Sequence, residues 1–136
     1  MSWSEANPAE WQVLDLAGAD LSALTEARHW AEAQLAALGD REIIDAVIVV
    51  GELLDNAYQH AGGPRQLRIY HRATPCEVTV AVADSGAGEP QVRAPDRGGG
   101  RGLLLVDQLC SAWGVSRHDD GKLVWGRVDC EEVDDT

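Results

Sequence analysis

GELLDNAYQHA, Gly51 to Ala61, sets an acid, Glu52, and an amide, Asn56, one helical turn apart inside a run that is otherwise mostly apolar. It continues a periodic segment that opens at Asp40: Ile43, Val47, Val50 and Leu54 make one stripe, and Ile44, Ile48 and Gly51 widen it. Apolar residues at that spacing predict an amphipathic helix, capped by Asp40 and closed near Ala61 by Gly62, Gly63 and Pro64. A stripe this broad predicts the central, most buried helix of the fold.

The flanks extend the pattern. Upstream, Leu24, Ala27, Ala31, Leu35 and Leu38 recur at helical spacing after Asp20, a candidate N-cap, and Gly39 is expected to supply a left-handed stop. Before them WQVLDLA, Trp11 to Ala17, alternates as an edge strand does. Downstream the period changes to two: Leu67 and Ile69, then Val78, Val80 and Val82, alternate with polar or small residues. A turn at Thr74 and Pro75 predicts that these strands pair antiparallel. Leu103, Val106, Leu109 and Cys110 restore helical spacing, with Gly114 expected to end the helix, and HDDGK joins strand Val115–Arg117 to strand Leu123–Val128. The implied fold is α/β (α+β), a two-layer sandwich with a mixed, mostly antiparallel sheet and three helices on one face. The chain, residues 1–136, reads as one domain with loose termini at 1–10 and 131–136.

Composition narrows the function classes. The formal net charge of −12 argues against a nucleic-acid backbone or an anionic membrane as the main partner. Nucleotide remains open, because a divalent cation and a few local donors can neutralise phosphates. No charged-then-apolar leader opens the chain and its longest apolar runs fall short of a membrane span, so a soluble, cytoplasmic protein is expected. Cys76, Cys110 and Cys130 are odd in number and lack a CxxC pair, so neither a disulfide nor a zinc site is expected. They read as small hydrophobes in a reducing compartment.

Three elements carry chemistry. On the central helix, the carbonyl oxygen of Asn56 is a hard ligand suited to magnesium, and the Glu52 carboxylate could polarise an attacking hydroxyl or water. Asp84 closes the strand EVTVAVAD and precedes Ser85, Gly86, Ala87 and Gly88; an ionised carboxylate beside bare backbone can accept from an exocyclic amine while a flat ring lies on the glycines. That arrangement favours adenine over guanine. Gly98, Gly99, Gly100, Arg101 and Gly102 lead into a helix starting near Leu103, where unpaired N–H groups and the dipole suit phosphate. The long, glycine-rich segment Gly86 to Arg101 has the character of a lid or binding loop. His60, at the end of the central helix, reads first as a dipole partner and second as a phosphate contact. Each element also has an ordinary reading: a wet helix face, an Asp-Ser-Gly turn, a floppy loop. Their order along the chain tilts the balance.

ELLDNA with His60, then VADSGAG, then GGGRGLLLVDQL and GKLVW, resembles the ATP-binding domain of the GHKL superfamily. Within it the chain is most similar to the small anti-sigma factor serine/threonine kinases of bacteria, the SpoIIAB and RsbW group. The resemblance implies ATP and Mg2+ as cofactors, Asn56 as magnesium ligand, Glu52 as general base and Asp84 as acceptor of the adenine amine. It also implies Gly86 and Gly88 in the adenine pocket, and Gly98, Gly100, Arg101 and Gly102 in the phosphate lid. The partners it implies are a sigma factor and a STAS-domain antagonist phosphorylated on serine or threonine; a homodimer is a further option in the family. A nucleotide-binding module that sequesters a partner without phosphotransfer is the second expectation, and an ATPase piece of a larger machine the third. Lys122 and Leu123 follow Gly121 where many relatives have threonines.

Overall fold

The computed structural model describes residues 11–17, 22–36, 38–60, 63–72, 76–85, 102–118 and 121–130. The termini, Asp20, the turn at Thr74 and Pro75 and the segment 86–101 lie outside these residues.

Five strands form one sheet: β1 (Gln12–Asp15), β2 (Pro64–Arg72), β3 (Glu77–Asp84), β4 (Ala112–His118) and β5 (Gly121–Asp129), in the order β1-β2-β3-β5-β4. Among the described residues every pairing is antiparallel, so the sheet is not mixed. β1 stands at the edge, as its short alternating sequence predicts. Helices α1 (Ala23–Gln34), α2 (Asp40–His60) and α3 (Gly102–Leu109) complete the architecture.

The period-two pattern decides which side chains meet the helices. Leu67 and Ile69 of β2, Val78, Val80 and Val82 of β3, and Val124 and Val128 of β5 enter one buried cluster with α2 and α3 residues. The alternate residues face the other way, where Trp11, Ala81 and Leu123 form a second cluster with Tyr70, Ala83 and Trp125 packed on it. Trp11 and Tyr70 stack at a tilt there, with ring centroids 5.5 Å apart. Trp30 and Trp113 pack on the main core. The Trp113 indole N–H also donates to Asp107 at 2.9 Å.

Five local expectations are corrected. The buried face of α2 is Ala46, Val49, Val50, Leu53, Leu54 and Ala57, whereas Ile44 is 59% and Ile48 37% exposed. The periodic stripe is wider than one face, and contact with the sheet and α3 selects its Val50–Leu54 side. Gly39 does not supply a left-handed stop: among the described residues positive φ occurs only at Gly63 and Gly121. α1 instead closes through the N–H of Leu35, which donates to the carbonyls of Ala31 and Glu32. Gly114 lies within β4, not at a helix end, because the Trp125 indole packs across it and a Cβ would stand 3.1 Å from the ring. The sheet, as noted, is wholly antiparallel. Finally, Cys76 and Cys130 are joined by a disulfide, their Cα atoms 5.0 Å apart. A linear sequence conceals this pairing: β3 and β5 are neighbours in the sheet, and the Cys130 N–H donates to the Cys76 carbonyl at 3.1 Å just beyond their ladder.

Among the described residues no helix is long and apolar enough to cross a membrane.

Candidate functional site

α2 carries Glu52 and Asn56 one turn apart on its C-terminal half. Asn56 is buried, 9% exposed, among the apolar residues that seat the helix on the sheet. Its amide carbonyl oxygen is the kind of hard donor that suits a cation such as magnesium. Glu52 is half-buried. Burial first, then the neighbouring Asp55 carboxylate, raise its pKa above the ordinary value of 4.5, while Arg28 of α1 opposes them. Arg28 reaches this point because Gly51 has no side chain: a Cβ there would stand 3.0 Å from the guanidinium.

Asp84 ends β3 and is 2% exposed. Alternation along β3 puts it on the helix-covered face, two residues beyond Val82. Its cross-strand partner is Lys122, also 2% exposed, whose Nζ donates to Asp84 Oδ1 at 3.0 Å. Next to Lys122, Gly121 adopts φ +149, and a Cβ on it would run into the Asp84 carbonyl oxygen and come within 2.9 Å of the Ser85 Cα. Only glycine allows the two backbones to approach this closely.

The fold joins the end of α2 to the end of β3. The residue after the C-terminal turn of α2, Gly63, donates its N–H to the Ala57 carbonyl at 2.9 Å, and Pro64 then pairs with Asp84. The end of α2 and the end of β3 are thereby tied together. Val106 of α3 and Cys110, just after it, lie beside Gly126 of β5 and Val49 of α2. Leu103, at the start of α3, is 4% exposed within the main core.

His60 closes α2, and its side chain lies outside the described residues, as do Gly86, Gly88, Gly98, Gly100 and Arg101. Sequence reasoning noted Lys122 as a departure but missed its partner. The signal was present: Lys122 shares the inward register of Val124 and Val128, so a lysine faces the core opposite an inward-facing acid. A cavity of about 350 Å³ at this end is lined by Gln66, Arg68, Ala83, Asp84, Lys122 and Leu123 among others.

The fold agrees with the comparisons. Residues 17–127 match the family model of the histidine kinase-like ATPase domain. No curated protein matches the sequence. Among solved structures, the crystal structure of the RsbU and RsbW domains of Rv1364c from Mycobacterium tuberculosis aligns with a TM-score of 0.64 at 16% identity. The match covers 91% of this chain and 34% of that one, and at this identity it speaks for the fold. With a helix bearing an acid and a buried amide, a strand-end aspartate on an antiparallel sheet, and most of its length matched by the family model, the chain belongs to the histidine kinase-like ATPase domain family.

Proposed function

We propose that this chain is an ATP-dependent serine/threonine protein kinase and anti-sigma factor that phosphorylates a STAS-domain antagonist. Membership in an ATPase family supports the nucleotide, and the likeness in fold to a structure containing an RsbW domain supports the partner-switching context. The observation that carries the reading is Glu52 with a raised pKa, one turn before the buried amide of Asn56, on the helix tied to Asp84.

In this reading Asp84 accepts from the adenine amine, and the N–H groups opening α3 hold phosphate. Asn56 offers its carbonyl oxygen to Mg2+, which when bound offsets phosphate charge. Glu52 accepts the proton of the attacking serine or threonine hydroxyl, and its raised pKa makes it a stronger base than a solvated carboxylate.

Incubation with γ-labelled ATP and a cognate STAS-domain protein tests it. Label should pass to the antagonist, and Glu52→Ala should slow transfer by roughly 100- to 10,000-fold while nucleotide still binds. Equal transfer by parent and variant would remove Glu52 from the base role.

One observation favours a second reading, a regulatory module that binds nucleotide without transferring phosphate. The Lys122–Asp84 ion pair engages the carboxylate proposed to receive adenine. Nucleotide binding without label transfer would select it.

A further inference from the structure

His71, Cys76 and Cys130 meet at the other end of the sheet from Asp84. Cys76 and Asp84 bracket β3, so the two places are on the order of 25 Å apart along an extended strand. The donor atoms of the three residues all lie within 4.8 Å of one another, and His71 Nε2 is 3.8 Å from Cys76 Sγ. They come from three strand ends: His71 from β2, Cys76 from just before β3 and Cys130 from just after β5. The antiparallel ladders of the central strands and the Cys130 N–H to Cys76 carbonyl bond hold these backbones in place without help from the donors.

We propose that the reduced Cys76–Cys130 pair and His71 form a binding site for one zinc-class divalent cation. Two thiolates and an imidazole are the soft and borderline donors that zinc prefers, and among the described residues no carboxylate belongs to the cluster. Three protein donors leave a fourth position for water or another ligand. A tetrahedral site with metal–sulfur bonds of about 2.3 Å and metal–nitrogen bonds of about 2.0–2.1 Å separates sulfur from nitrogen by roughly 3.5 Å, close to the observed His71–Cys76 spacing. Only the sulfurs must part. A cavity of about 430 Å³, lined by Arg41, Glu42, Asp45, Asp129 and Cys130 among others, opens beside Cys130 and gives a cation a route with three carboxylates along it.

The disulfide and the metal are exclusive states of the same sulfurs. An added dithiol supplies two electrons and two protons to the S–S bond and is itself oxidised to a disulfide; the cation then displaces the two thiol protons to solvent. Cys110 takes no part: burial, with Asp107 and Asp45 nearby, pushes its thiol up to about 12, so it stays protonated.

The test is a titration of the full chain with Co2+ and then Zn2+, on oxidised protein and on protein reduced with a dithiol that is removed anaerobically. The reduced chain should take up one equivalent of Co2+ with a thiolate charge-transfer band, lost when Zn2+ displaces it, and the oxidised chain none. Removing a mere outer-shell partner of a ligand lowers metal affinity about 10- to 100-fold, so His71→Ala and Cys130→Ser should weaken binding by at least that much, and Cys110→Ser should not. No uptake by the reduced parent, equal uptake by the oxidised parent, or unchanged binding in Cys130→Ser would overturn the proposal. The parent comparison decides it even where a variant fails to fold.

Discussion

Lys122 Nζ donates to Asp84 Oδ1 across the β3–β5 ladder at 3.0 Å, with both side chains 1% exposed. Truncating one member of such a buried pair strands charge in the interior and costs about 3–5 kcal/mol, whereas replacing both members is often close to neutral. Lys122→Met should therefore lower unfolding stability by about that amount in urea denaturation. The Asp84→Asn/Lys122→Met double variant should recover much of the loss. Two losses that simply add would show that the pair is not coupled.

Nucleotide selectivity tests the proposed adenine pocket separately. Asp84→Asn should weaken ATP binding by about 1.5–3 kcal/mol, as for a lost hydrogen bond to a charged group. Asn56→Ala should abolish the magnesium-dependent part of the affinity. Calorimetry with ATP and GTP reads both; equal affinity of the parent for the two nucleotides would contradict the role given to Asp84.

Glu52 predicts a pH effect of defined sign. Its folded pKa lies above the ordinary 4.5, chiefly through burial. Between the unfolded and the folded pKa the folded state holds the proton that the unfolded state has released, so stability falls as pH rises through this window. The loss is complete above the folded pKa. Glu52→Gln should accordingly be more stable than the parent at neutral pH, and the difference should vanish in acid below the ordinary glutamate range. Denaturation curves at neutral and acid pH measure it. A variant less stable than the parent at neutral pH would mean that Glu52 gains more from Arg28 than it loses to burial.

Gly126 marks where α2 and α3 press on β5. A Cβ there would stand 2.7 Å from Cys110 Sγ and 3.3 Å from Val49 Cγ1. Alanine would gain strand propensity, yet overpacking of a filled core costs about 1–3 kcal/mol and should win. Gly126→Ala is expected to destabilise by that amount in urea, and Cys110→Ala in the same chain should restore part of it. Unchanged stability would show that the helices yield at this point.

Much of the fold was legible along the chain because it is written in local periods. Runs of period 3.6 marked α1, α2 and α3, and the period-two runs marked β2, β3 and β5. ELLDN and VAD could be placed on a helix face and a strand end for the same reason. The misreadings have one origin. Gly39 and Gly114 look like helix stops in isolation, but Gly114 is a gap filled by the Trp125 indole from the adjacent strand. Ile44 and Ile48 fit the apolar stripe of α2 as well as Val49 and Leu53 do, and only the position of the sheet says which are buried.

The sequence by itself determined the identity, type and order of the elements and the candidacy of Glu52, Asn56 and Asp84, since these depend on neighbours a few residues apart. Tertiary structure alone decided the strand order, the meeting of Asp84 with Lys122 and the meeting of His71, Cys76 and Cys130. Those contacts depend on register between strands far apart in the chain. Register is set by how the whole apolar surface of the sheet fits its helices, and no local run of residues contains it.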